Sequence, residues 1–328
     1  MLKRIFLVLS LCLVALSCSK KGFESKRQKE VEKFLTDNDR LKILTTTEMI
    51  KYLVDQIGEE KVCSISLITK DLDPHSYELV KGDDDLLYSS DLIVSNGLGL
   101  EHGASLSHFL HSSSKNIFLG DHLKNTSADK LLYVDGVVDP HVWMDISLWV
   151  ELVDPIVRVI SDKIPESKDL FIENGIKLKN KLTVEHKKIQ EQLRSLPQEK
   201  RYLVTTHDAF NYFTRSYLAF DNEVNWTIRC VAPEGLSPEM QLNSYDIQKI
   251  IDHLDKYQIQ VLFTEKGANQ DSIRKVLSAA RDKNLNVSIS TEELCADSMI
   301  QSDNSECYIE MMRHNANVLY KSLLGNNE

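Results

Sequence analysis

From Pro165 to Leu196 the chain reads PESKDLFIENGIKLKNKLTVEHKKIQEQLRSL, with Leu170, Ile176, Leu178, Leu182, Ile189 and Leu193 at helical spacing before Pro197 ends the pattern. One helix of about 30 residues would be about 45 Å long. Gly175 inside it costs only about 1 kcal/mol, too little to break the helix. A rod of this kind, with sequence of a different character on either side, constrains the fold more than any other feature.

On both sides, short β-branched or aliphatic runs alternate with helical patterns. LKILTTT, VCSISLI, DLIVSNG and NIFLG precede the rod; RYLVTT, QVLFTE and NVSIS follow it. Strands that alternate with helices form parallel sheets. With 328 residues, the chain is long enough for two domains with separate cores. The fold class is therefore α/β: two lobes, each a parallel-sheet sandwich, joined by one long rigid helix. The expected N-terminal lobe covers residues 41–164, the linking helix 165–197 and the C-terminal lobe 198–328.

Residues 1–18 read as an export signal, because Lys3 and Arg4 precede the apolar run Ile5 to Leu16, which is too short to span a bilayer. Ala15-Leu16-Ser17-Cys18 resembles an imperfect bacterial lipobox, which would place a lipid on Cys18; plain secretion is the alternative. Either way the expected location is extracytoplasmic: periplasmic, and anchored to the cytoplasmic membrane if Cys18 is acylated. Residues 19–40 are charged and lack apolar periodicity, as a flexible tether would. The net charge of −10 argues against a nucleic-acid surface or a patch for anionic membrane, both of which need clustered Lys and Arg. Cys63, Cys230, Cys295 and Cys307 contain no CxxC pair. Cys63 reads as a buried apolar residue, and an oxidising compartment permits a bridge from Cys230 to Cys295 or Cys307.

One phrase recurs: Asp73-Pro74-His75 and Asp139-Pro140-His141. Proline biases the preceding aspartate to extended geometry, so each triplet reads as a stiff loop presenting an imidazole. His207 directly follows the run RYLVTT, and Asp297 lies in the loop after NVSIS. Ligands of open parallel sheets bind beyond the carboxyl ends of strands. Three imidazoles and a carboxylate there could converge on one first-row metal ion. On spacing alone, a lone loop histidine is more often a surface or capping group than a ligand.

DPHSYE, NGLGLE, DPHVWMD, TTHDAFNYF, SPEMQLNSYDIQKIID, FTEKGANQDSIRKV and ADSM occur in this order, over essentially all of the chain after residue 40. This resembles the metal-specific solute-binding proteins of ABC importers for zinc, manganese and iron. The resemblance implies two lobes with one divalent metal ion, Fe2+, Mn2+ or Zn2+, held between them as cargo. It implies His75, His141, His207 and Asp297 as ligands and Glu265 as a neighbouring carboxylate that orients a histidine N–H. It also implies a membrane permease and an ATPase as partners for a monomeric binding protein without catalytic activity.

Many zinc-dedicated members carry a long His- and acid-rich loop before the second histidine; here Lys115 to Val138 holds only His122, which speaks against a purely zinc role. His102, His108, His111 and His122 read as solvated, and Asp83, Asp84 and Asp85 as the acidic first turn of a helix. Trp143, Trp149, Phe210, Tyr212 and Phe213 read as core. A surface adhesin using the same fold is one alternative. A metallohydrolase is another, disfavoured by the lack of HExxH, GxSxG and P-loop motifs and by a four-ligand set.

Overall fold

A computed structural model of the chain describes residues 25–69, 72–237, 244–300 and 306–325. The export segment and Cys18 lie outside the described residues, as does part of SPEMQLNSYDIQKIID.

Four parallel strands form the first sheet: β1 (Leu41–Thr45), β2 (Val62–Ser66), β3 (Leu92–Ser95) and β4 (Asn116–Phe118), in the order β2-β1-β3-β4. Successive side chains of a strand point to opposite faces. Ile43 accordingly packs into one core with helix α2 (Glu48–Gly58), while Leu44 faces a second core under helices α3 (Asp83–Ser89) and α4 (Ala104–Ser112). Both faces of the sheet are covered, as parallel sheets require. The three aspartates at 83–85 do form the first turn of α3.

Within the segment expected to be a tether, residues 25–36 behave differently. Lys26–Thr36 is helix α1, begun by a capping box in which Ser25 and Gln28 satisfy each other's backbone N–H. Phe34 is buried in the second core, and Arg27 Nη2 donates to Ser66 O at 2.7 Å. Its apolar positions are sparse, but Val31, Phe34 and Leu35 share one face, which suffices to dock the helix.

After helix α5 (Leu119–Thr126) comes an antiparallel ribbon, β5 (Tyr133–Val134) and β6 (Val137–Val138). Asp135 and Gly136 both have positive φ at its tip, the geometry for which an Asp-Gly pair is suited. Short helix α6 (Ile146–Trp149) and α7 (Val153–Lys163) lead to α8, the rod, which spans Lys168–Arg194 after a 3-10 turn at Pro165–Ser167. Its 27 residues make it about 40 Å long.

The buried stripe of α8 is Phe171, Asn174, Gly175, Leu178, Leu182, Glu185, Ile189 and Leu193. Ile176, expected on this stripe, points outward and is half exposed. Gly175 is the reason α7 and α8 lie so close: a Cβ there would meet Val157 Cγ2 at 2.8 Å. The rod is fastened to both lobes. Asn174 Nδ2 donates to Ile57 O of α2 at 3.1 Å, and Arg313 of α12 (Cys307–Leu324) reaches Glu185 with Nε at 2.5 Å and Nη2 at 2.7 Å.

The second lobe has shorter strands than the sequence pattern suggests. Parallel β7 (Leu203–Val204) and β8 (Cys230–Val231) form one pair, β9 (Val261–Leu262) and β10 (Ser288–Ile289) another, and Phe263 N–H donates to Val204 O at 2.8 Å between them. Strand β8 had no counterpart among the expected runs. A three-residue helix, α9 (Asn211–Phe213), runs into a π turn, and α10 (Ser244–Tyr257) and α11 (Asp271–Asp282) cover one face. The bridge expected from Cys230 to Cys295 or Cys307 does not form; all four thiols in the described residues are free. Burial raises the Cys230 thiol and pushes Cys295 to about 11, so neither supplies the thiolate that oxidation requires.

Candidate metal centre

His75 lies in the loop after β2, His141 just past β6, His207 after β7, Glu265 after β9 and Asp297 after β10. All but His141 thus follow the carboxyl ends of parallel strands, where backbone groups are free of the ladder and loops can shape a cleft. One atom from each of His75, His141, His207 and Asp297 lies within 4.8 Å of the others, so this group could hold a metal ion. All three histidines are buried, and only Asp297 keeps appreciable contact with solvent.

The atoms that converge are the three Nε2 nitrogens and the Asp297 carboxylate. His75 Nε2 and His141 Nε2 are 3.2 Å apart; Asp297 Oδ2 is 3.2 Å from His207 Nε2 and 3.7 Å from His75 Nε2. Asp297 Oδ1 lies 3.6 Å from His141 Nε2 and is buried without a hydrogen-bond partner among the described residues. Each triplet is shaped by its aspartate: Asp73 Oδ1 accepts from His75 N–H at 2.8 Å, and Asp139 Oδ1 from His141 N–H at 2.9 Å. Asp139 Oδ1 also accepts from the His141 ring at Nδ1, 2.7 Å away. That leaves the Nε2 lone pair free to face inward. Spacing alone does not mark this carboxylate as a partner of the ring; its signal is the triplet itself.

Glu265 sits behind His207, with Oε2 2.5 Å from Nδ1, while Oε1 accepts from the N–H groups of Thr206 and His207 at 2.8 and 3.0 Å. Trp143 packs edge-on against His141, and its Nε1–H donates to Ala296 O at 3.0 Å, fixing the strand of backbone that presents Asp297. Trp149, Phe210, Tyr212 and Phe213 are fully buried core, as expected.

Charges within the cluster oppose one another. Burial pushes the His75 imidazole down to about 3 against the attraction of Asp297, so it is neutral at pH 7, with Nε2 in hydrogen-bond range of His141 Nε2. Burial disfavours a proton on His207 as well, but Glu265 and Asp297 outweigh it and hold this imidazole well above the usual range. For Asp297, burial favours the neutral acid, and the three imidazoles overcome it, keeping the carboxyl well below its ordinary value. Converging imidazole nitrogens and a buried carboxylate oxygen without a partner among the described residues are an arrangement a cation would relieve. A cavity of about 210 Å³ reaches His207, Glu265 and Asp297 from the surface, with Leu72, Asp73, Lys266 and Asn269 at its rim. Of the histidines expected to be solvated, His102, His108 and His111 are exposed and His122 is half-buried. The His102 ring nevertheless comes within 5.7 Å of the His75 ring.

Fold and donor set together define a class: a bilobal binding protein whose halves, joined by one long helix, enclose a site that could hold a single transition-metal ion. The chain belongs to the family described as "ZnuA: Zinc-uptake complex component A periplasmic", whose model matches residues 43–322. It is 36% identical over 323 residues to "Metal-binding protein YtgA" of Chlamydia muridarum, covering 97% of this chain and 94% of that protein. Among solved structures, that of Fe(III)-bound YtgA from Chlamydia trachomatis superposes with a TM-score of 0.81 at 35% identity, over 86% of this chain and 98% of that one. The periplasmic zinc binding protein TroA from Treponema pallidum gives 0.78 at 25% identity, over 87% and 99%.

Proposed function

We propose that this protein is the extracytoplasmic solute-binding component of an ABC importer, capturing one iron, manganese or zinc ion and passing it to a membrane permease driven by a separate ATPase. His75, His141, His207 and Asp297 bind the ion, and Glu265 holds the His207 ring so that Nε2 faces it. One observation carries this reading: three buried Nε2 atoms and a carboxylate, brought from four separate loops, lie within 4.8 Å of one another. Three nitrogens and a carboxylate suit Fe, Mn and Zn alike. Four protein side chains come closer to a closed set than the three ligands plus water of catalytic zinc sites, which favours capture over turnover, so the protein is read as a carrier without catalytic activity. Lipid on Cys18 would keep it at the outer face of the cytoplasmic membrane.

The test is metal analysis of protein lacking residues 1–18, purified without chelators, beside the double variant His75→Ala/His141→Ala. About one equivalent of metal in the parent, lost in the variant, is expected. No binding when iron, manganese and zinc are offered in turn would sink the transport reading.

A further inference from the structure

The two DPH triplets are alike in sequence and differ in what their aspartates hold. Asp73 keeps both carboxylate oxygens at home: Oδ1 accepts from His75 N–H and Oδ2 from Ser76 Oγ–H at 2.6 Å. Asp139 divides its oxygens between the lobes. Oδ1 takes the ring and backbone N–H groups of His141, whereas Oδ2 accepts from Asn211 Nδ2 at 3.1 Å. Asn211 Nδ2 also donates to Asp208 O at 3.0 Å, so its two hydrogens tie Asp139 to the turn that starts at His207. Next to it, Tyr212 Oη donates to Asp139 O at 3.0 Å.

Asp139 is fully buried. A carboxylate in that position is tolerable only when its lone pairs are occupied, and here every donor comes from a segment that bears a site histidine or adjoins one. The same stretch is stitched to the second lobe further on, where Tyr217 Oη accepts from Ile146 N–H at 3.1 Å and Tyr308 Oη donates to Trp143 O at 2.6 Å. His141 therefore precedes the rod in sequence but is braced from the lobe that follows it.

Building on the metal-site reading above, we propose that Asp139 is a positioning residue that sets the His141 and His207 segments as one unit, one carboxylate oxygen for each, before the ion arrives. The clasp removes the need to order two ligands from different parts of the chain at the moment of capture. It acts through Asn211 as much as through the His141 ring, which separates it from an ordinary partner of a ligating imidazole.

The test is a reciprocal exchange. Asp139→Asn keeps an oxygen for the His141 N–H groups but turns an amide toward the Asn211 amide. Asn211→Asp sets two carboxylates face to face. Together they restore one donor and one acceptor between positions 139 and 211 and the original charge, but not the bond to Asp208 O. Zn2+ affinity by chelator competition is expected to fall ~10-fold or more in each single variant, with a shifted visible spectrum of the Co2+-loaded protein. The double variant is expected to recover part of both, and to bind better than Asn211→Asp alone. Melting of the metal-free proteins separates this from simple loss of stability. If either single variant does not fold, Asn211→Ala carries the test, with the same ~10-fold loss expected. Unchanged Zn2+ affinity and Co2+ spectrum in Asp139→Asn or Asn211→Ala, or a double variant no better than Asn211→Asp, would overturn the clasp. Failure of the parent protein to bind Zn2+ or Co2+ refutes the metal-site reading itself and is seen before any variant is compared.

Discussion

At the scale of single residues, the proton on His207 decides how the site responds to pH. Its imidazole is held well above the usual range while His75 is held down at about 3, so at pH 7 the metal-free site carries its proton on His207. An incoming cation must displace that proton from Nε2, leaving Nδ1–H toward Glu265. Affinity should therefore rise with pH up to the raised pKa of His207, by about one log unit per pH unit, and about one proton should be released per ion at pH 7. Calorimetry in buffers of different ionisation enthalpy measures this; release of no proton at pH 7 contradicts it. The reference histidine value near 6.5 leaves out the two carboxylates, which raise this group. Glu265→Gln keeps a hydrogen-bond acceptor and removes the charge, and ~10 to 100-fold weaker metal binding is expected. Asp297 was marked mainly by the family resemblance, whereas His75, His141 and His207 were legible as candidates in the primary structure, since loop imidazoles beside proline and strand ends stand out. The contact of Asp139 with Asn211 was not, because 72 positions separate the two and no periodicity links them.

At the scale of elements, the rod and the first helix repay separate tests. Gly175 lets α7 and α8 approach, with Val157 in the way of any larger residue. Valine in a helix has one favoured rotamer, so it yields poorly. Gly175→Leu should destabilise by about 1–3 kcal/mol, whereas Gly175→Ala should stay near neutral because its helix propensity gain of about 1 kcal/mol offsets the crowding. Denaturant titration distinguishes them, and equal stability of Leu and Gly at 175 would refute the close-packing account. Helix α1 is tested by Phe34→Ala, expected to cost about 3–5 kcal/mol as a buried aromatic truncation. A negligible loss would mean that α1 is dispensable to the lobe. The rod was readable from its flanking prolines and apolar spacing; its inward face was not fully so, since Ile176 turns out and Gly175 and Asn174 turn in. Helix α1 was hidden by charge, because three apolar residues on one face do not raise a pattern above Lys and Glu neighbours. The two-residue strands of the second lobe were overextended in the reading for a similar reason: apolar runs continue into loops that lead to the site.

For the whole molecule, the rod limits how the lobes move. It is joined to α2 through Asn174 and to α12 through Glu185 and Arg313, which leaves no flexible linker about which the halves could swing freely. Small displacements are expected between metal-loaded and metal-free protein, as shear rather than wide hinge opening. Paired crystal structures, or scattering with and without metal, check this; a large opening of the cleft would contradict it. The docked position of α1 sets how far the molecule can wander. A loose chain through residue 40 could let the folded body drift tens of ångströms from its anchor. Helix α1 is capped by Ser25, and the seven peptide steps from Cys18 to Ser25 span at most about 25 Å whatever their conformation. If Cys18 is acylated, the carrier is on a short leash. Its encounters with a transporter in the same bilayer then become a matter of high effective concentration in a thin layer rather than of diffusion through a compartment.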